Sequence, residues 1–338
     1  MNFASDNWAG ATEAVMAAVG RHNGGFAPGY GGDPLTGRVN AMFAELFERE
    51  VEVFFVGTGT AANGIAMAAT GRPGGLVFAT TEAHIQNDEF GATEFYTGGM
   101  KIVPVANAAG VMDPAALAAS LARFGGRFGL PTTLSLTNAT ECGTVYDPDQ
   151  IAALTAIGRQ YGLAAHMDGA RFANAVAALE VTPAEVTWKA GIDILSFGGT
   201  KNGCMAAEAI VVFEPGRFAN LPAIRQRAGH TASKARFIAA QFEGYLENGN
   251  WLETARHANA MAQRLGEGLG NRARLAWQSR ANEVFPVLPK AQIAALREAG
   301  AMFYEWPVEG LAADEDCVRL VTSFATTSDE VERFLGLI

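Results

Sequence analysis

The stretch VEVFFVGTGTAANGIAMAAT, residues 51–70, decides the fold. VEVFFV is a run of consecutive rather than alternating apolar residues, the pattern of a strand covered by helices on both faces. Small residues then turn the chain, and TAANGIAMAAT reads as a helix. The same unit recurs outward from this point. Further strand runs are GLVFAT (75–80), KIVPV (101–105), TTLSLT (132–137), LAAHMD (163–168), DILSF (193–197) and AIVVF (209–213). Helical patterns fill most gaps, including DPAALAASLARF after Met112 and PDQIAALTAIGRQYG, where Asp147 can cap and Pro148 can open the helix. This alternation predicts an α/β fold with a mostly parallel, seven-stranded sheet between helices.

From about residue 217 the strand runs stop and longer helices begin, including an amphipathic stretch from Ala232 through Leu269. VRLVTSF (318–324) is the clearest later strand, and SDEVERFLGLI is a terminal helix. A chain of 338 residues exceeds one core of ordinary size. The expected division is a large domain over 1–245, with an N-terminal arm at about 1–20, and a small α+β domain over 246–338. About half the residues are apolar (49%) and few are charged (18%), which excludes a disordered chain or a coiled coil. The net charge of -10 argues against a nucleic-acid surface and favours a small-molecule partner. The amino terminus lacks a secretory signal and no run is long enough to span a membrane, so a cytoplasmic protein is expected. Cys142, Cys204 and Cys317 are far apart and suggest neither a disulfide framework nor a metal site.

Ligands of open α/β sheets sit beyond the carboxyl ends of strands. Four such positions stand out. Gly57-Thr58-Gly59-Thr60 leads straight into a helix, where free N–H groups and hydroxyls suit a phosphate. The same string satisfies a dinucleotide fingerprint through Gly57, Gly59 and Ala62, with Glu82 as the ribose acid, and a plain tight turn is a third reading. Asp168 ends a strand and needs a partner, either Arg171 in a local ion pair or the protonated nitrogen of a bound pyridine ring. Lys201 lies between glycines, as a surface turn or as an amine poised to capture a carbonyl. His84 is an ordinary polar residue or a flat ring that stacks on a flat cofactor. Dinucleotide binding accounts for only the first of the four.

Taken together, these residues resemble the low-specificity L-threonine aldolases, including bacterial phenylserine aldolases. That family depends on pyridoxal 5'-phosphate (PLP) and has fold type I. The resemblance rests on FASDNWAG, YGGDPLTGRVN, VGTGTAAN, TEAHIQNDEFGA, SLTNATECGTVY, HMDGARFANA, WKAGIDILSFGGTKNGCMAAEAIVVF, RAGHTASKARF and VRLVTSFATT, which span nearly the whole chain. It implies that Lys201 is the Schiff-base lysine, Asp168 the partner of the pyridine nitrogen and His84 the stacking ring. Thr58, Gly59 and Thr60 are implied as the phosphate cradle, and Ser5, Arg171, Arg319 and Tyr30 as the groups around the substrate carboxylate. It further implies a homo-oligomer, dimer or tetramer, in which Arg227 or Lys234 reaches the neighbouring subunit's phosphate. One departure is visible: no histidine lies between His84 and His166, where many relatives carry a second one. The implied reaction splits a β-hydroxy-α-amino acid into glycine and an aldehyde, with His84 taking the hydroxyl proton directly or through water. An aminotransferase, a β-eliminating lyase and, more remotely, a nicotinamide-dependent oxidoreductase are the competing expectations.

Overall fold

The computed structural model describes residues 1–270 and 272–338. Its strands in the first two thirds of the chain are β1 (Glu52–Val56), β2 (Gly75–Thr80), β3 (Lys101–Val105), the two-residue pair β4 (Asn107–Ala108) and β5 (Val111–Met112), β6 (Leu130–Thr137), β7 (Ala164–Gly169), β8 (Ile194–Gly198) and β9 (Glu208–Val212). All but β4 and β5 form one seven-stranded sheet in the order β1-β9-β8-β7-β6-β2-β3. Every residue of β2, β8 and β9 is buried, which is why their apolar residues run on without alternating. The parallel pairs are β2 with β3, β2 with β6, β6 with β7 and β7 with β8. Strand β9 is antiparallel to both β8 and β1, so it alone runs against the other six. The reversed strand therefore begins at the edge where its neighbours end.

Helices cover both faces of the sheet. Phe43, Phe47, Phe55, Phe172, Phe197 and Phe242 form a connected aromatic core on one face, with Phe197 at its centre. Helix Gly59–Thr70 packs on the other face through Ala61, Ala62, Ile65 and Ala66.

The second sheet contains β10 (Arg274–Leu275), β11 (Glu283–Val284), β12 (Pro286–Pro289), β13 (Tyr304–Trp306) and β14 (Glu315–Val321), with β14 pairing antiparallel to β11, β12 and β13. A capping box of Thr327 and Glu330 starts the last helix, Ser328–Leu335. The amphipathic stretch 232–269 is two helices, Arg236–Leu246 and Asn250–Leu269. Asn248 and Gly249 both take left-handed backbone (φ 57° and 74°) and break it, as an Asn-Gly pair readily does. Helix Asn250–Leu269 serves both cores. Trp251 and Ala255 pack into the large one, while Ala262, Leu265 and Leu269 pack into the small one. The amino terminus also joins the small core: Phe3 is fully buried there and bonds through its backbone to Met302 and Val321. Among the described residues no helix is long and apolar enough to cross a membrane.

Candidate active site

A cavity of about 320 Å³ opens at the carboxyl edge of the large sheet, and Gly57, Thr58, Gly59, Thr60, Asn63, His84, Asp168, Lys201 and Glu208 line it. The topology explains the convergence. Strands β1, β2, β7 and β8 end at this edge and deliver, in turn, the glycine-threonine loop, His84, Asp168 and Lys201. Thr58 caps helix Gly59–Thr70 by accepting from the Ala61 N–H at 3.2 Å. A side chain built at Gly57 or Gly59 would meet nothing within 4 Å, so open space faces the positive end of the helix. Such a place suits an anion.

Asp168 is buried, accepts from the Ala170 N–H at 3.0 Å and from Asn63 at 2.8 Å, and pairs with no cation among the described residues. The local ion pair with Arg171 is not formed. Arg171 turns away, donating to Asp6 at 2.8 and 3.2 Å. Asp168 is thus a buried carboxyl group without an ion-pair partner among the described residues, lining a cavity. Lys201 lines the same cavity and likewise has no carboxylate partner among the described residues. The glycines around it serve the protein's own packing. A β-carbon at Gly198 would lie 2.5 Å from the Ala170 carbonyl oxygen, and one at Gly203, at φ +117°, would lie 2.6 Å from Thr12. The first approach brings the lysine turn against the loop that follows Asp168, and the second brings it against the N-terminal segment at Thr12.

A polar chain runs behind the cavity. Asn63 donates to Asp168 and to the buried Glu89, both at 2.8 Å, and Glu89 holds His84 Nδ1 at 2.8 Å. Burial lowers the proton affinity of His84, but the bond to Glu89 and the fields of Asp168 and Glu141 outweigh it, so the ring titrates above the ordinary histidine range. Burial pushes Glu89 upward as well. His166, by contrast, is a core residue: it is fully buried, bonded to Ser135 and Ser196, and burial drives it down to about 4. Glu208 opens the reversed strand β9 opposite Gly198 and accepts from the Gly199 N–H at 3.1 Å. Burial pushes its carboxyl up to about 7.

Arg171 and Arg319 come together through shared carboxylates rather than as lining of the cavity. Glu141 lies 3.6 Å from Arg171 and 4.0 Å from Arg319, and Glu283 lies 3.5 and 3.9 Å from the same pair. Asp6 joins this cluster to the cavity. It neighbours Asn7 in the wall, and although burial opposes its charge, Arg171 and Lys201 hold it below the usual carboxylate range. Ser5 caps the short turn Asp6–Trp8 by accepting from the Asn7 N–H. Tyr30 is exposed, with left-handed backbone (φ 59°), and its N–H donates to the Ser233 carbonyl, which places it beside Lys234 on one outer loop pair. Arg227 lines a separate cleft with Phe95 and Tyr96. Within one chain, none of Tyr30, Arg227 and Lys234 lines the cavity.

Sequence reasoning missed Glu89, Asn63, Glu208, Asp6, Glu141 and Glu283. Asn63, Glu89, Asp6, Glu141 and Glu208 each lie within a quoted motif, whereas Glu283 lies in none. The position of Glu208 at this edge had no signal of its own, because only the strand's reversed direction puts it there. The dinucleotide expectation fails on topology. β1 is an edge strand whose only sheet neighbour is antiparallel, whereas a dinucleotide loop follows a strand set between parallel neighbours.

The family model for beta-eliminating lyases matches residues 2–288. A low specificity L-threonine aldolase of Pseudomonas aeruginosa is 42% identical over 311 residues, covering 91% of this chain and 90% of that protein. A threonine aldolase structure from Leishmania major superimposes with a TM-score of 0.93 at 30% identity, covering 99% of this chain and 98% of that one. A serine palmitoyltransferase of Sphingomonas wittichii, 17% identical, shares the fold with a TM-score of 0.74 over all of this chain and 86% of its own. The architecture is accordingly fold type I, and the nicotinamide-dependent alternative is discarded. By family model, sequence and structure alike, this chain belongs to the beta-eliminating lyase family and, within it, to the threonine aldolases.

Proposed function

We propose that the protein cleaves β-hydroxy-α-amino acids of the L-threonine and phenylserine type into glycine and an aldehyde, using PLP held on Lys201. One observation carries this reading: a buried aspartate and a lysine, neither of them in an ion pair among the described residues, face one cavity at the start of a helix. The cavity fits each part of the cofactor. Thr58, Gly59 and Thr60 would hold the phosphate through hydroxyls and free N–H groups, Asp168 would meet the ring nitrogen, His84 would lie against the ring, and the Lys201 amine would hold the aldehyde carbon. When bound, PLP supplies an electron sink for a bond broken at the α-carbon.

The remaining work falls to the chain's own side chains. Asp168, braced by Asn63 and the Ala170 N–H, is fixed where it can hold a proton on the ring nitrogen. Arg171 and Arg319, with Ser5, orient the substrate carboxylate and thereby choose which bond at the α-carbon is aligned for cleavage, while Tyr30, exposed on an outer loop, would reach a carboxylate only in a neighbouring subunit's site. His84, with Nδ1 committed to Glu89, leaves its other ring nitrogen to take the substrate hydroxyl proton directly or through water. Among the described residues His84 is the one histidine that lines the cavity, and His166 is sealed in the core.

The large exposed rings of Phe26, Phe90 and Tyr30 support a homo-oligomer in which Arg227 or Lys234 completes a neighbour's phosphate site. The test of the whole reading is Lys201→Ala. It should abolish turnover and the visible absorbance that borohydride bleaches in the native protein, and retention of both removes Lys201 from the chemistry. Release of glycine and aldehyde, with no keto acid, separates the aldolase from an aminotransferase or an eliminating lyase.

A further inference from the structure

The arginine cluster holds more acid than base. Two guanidinium groups, Arg171 and Arg319, face three carboxyl groups from three different segments: Asp6 near the amino terminus, Glu141 after β6 and Glu283 on β11. With all three acids ionised, the formal charge of the shell is already one unit negative. A substrate carboxylate entering it would add another in a poorly solvated place, where like charges repel strongly.

The three acids are not equivalent. Asp6 accepts two bonds from Arg171 and a third from Asn282 at 3.1 Å, which fixes it as the anion. Glu283 is fully buried, and neither of its oxygens has a hydrogen-bond partner among the described residues. Its charged neighbours are Arg171 and Arg319 at 3.5 and 3.9 Å, and beyond them Glu141 and Asp6. A buried carboxyl without donors gains most from holding a proton.

Resting on the reading that Arg171 and Arg319 bind the substrate carboxylate, we propose that each carboxylate bound there brings one proton with it, taken from solvent onto Glu283. Binding then leaves the net charge of the shell unchanged. Burial, opposed by the two arginines and assisted by Glu141 and Asp6, already sets Glu283 titrating at about 7 in the free protein, so the uptake falls in the range where the enzyme would be assayed. The coupling limits affinity at high pH and favours substrates with a single carboxylate.

The probe is 3-hydroxybutyrate, which carries the carboxylate and hydroxyl of the substrate but no amine that titrates. Calorimetry of the PLP-loaded protein in buffers of different ionisation heat should show close to one proton taken up per ligand at pH 8 and little at pH 6. The dissociation constant should rise about eightfold between pH 7.5 and 8.5, and Glu283→Gln should remove both the uptake and the pH dependence. Should that variant fail to fold, Glu208→Gln separates the two buried carboxyls that titrate at about 7: uptake at pH 8 that survives it stays with Glu283, and uptake that disappears overturns the assignment. No uptake at pH 8 with a flat dissociation constant, in a protein whose Arg319→Ala variant binds the probe more weakly, overturns the proton coupling alone. Failure of the probe to bind, or unchanged binding by Arg319→Ala, instead removes the carboxylate reading on which the coupling rests.

Discussion

Replacing Arg171 by alanine should unfold the protein more readily as well as impair substrate binding, and the structure sets the size of the effect. The guanidinium is 4% exposed and donates two bonds to an Asp6 that is 2% exposed. It also lies within 3.6 Å of Glu141 and Glu283. Removing one partner of a buried pair leaves an uncompensated charge and costs about 3–5 kcal/mol. Arg319 is a useful contrast. Its side chain is 18% exposed, its nearest carboxylates are 3.9 and 4.0 Å away, and it stacks over Trp306 at 5.1 Å, a contact worth about 1 kcal/mol. Urea denaturation of both variants, followed by tryptophan fluorescence, should therefore show a loss several-fold larger for Arg171→Ala, while Arg319→Ala chiefly lowers kcat/KM. The difference between wild type and Arg171→Ala should shrink as the pH falls below about 4. Asp6 titrates below its unfolded value, so what it contributes is present above that value and vanishes as the acid is protonated. A loss under about 1 kcal/mol for Arg171→Ala at pH 8 would refute the argument.

Other substitutions test separate parts of the site. Glu89→Gln should move the acidic limb of the kcat/KM profile to lower pH, because His84 must be neutral to take a proton and Glu89 helps to hold it protonated. An unmoved limb would uncouple the two residues. His166→Gln should make stability less sensitive to acid. The buried ring titrates at about 4 and the unfolded one at about 6.5, so the wild type loses about 3 kcal/mol between those pH values that the variant keeps. Equal slopes in acid denaturation would contradict this. Thr58→Val should weaken binding of PLP, read by fluorescence titration, but leave binding of pyridoxal without phosphate unchanged, and equal losses for both would show that Thr58 does not touch the phosphate.

The sheet was legible because burial on both faces leaves a plain trace: seven apolar runs became seven strands, with ends displaced by two residues or fewer. Strand direction leaves no such trace. Nothing in AIVVF says that β9 runs backwards, and so nothing announced Glu208 at the catalytic edge. The loop at Thr58, the acid at Asp168 and the lysine at Lys201 were visible because each follows its strand directly. Glu283 escaped because it lies in no recognisable motif and its partners Arg171, Arg319, Glu141 and Asp6 come from four other segments of the chain. The break at Asn248 and Gly249 was written in the sequence, where an amphipathic repeat on both sides concealed it.

The docking of Phe3 onto Met302 and Val321 has a consequence for biosynthesis. Phe3 must wait for residues synthesised some three hundred positions later before it finds its place. Until then Asp6 is not anchored through Asn282, and Arg171 is left facing the wrong company. The nascent large domain can assemble its sheet early, yet the corner that holds Asp6 and Arg171 is completed only after Met302 and Val321 have been made. A ribosome-bound chain halted before Met302 should hold a folded sheet and an unfinished catalyst.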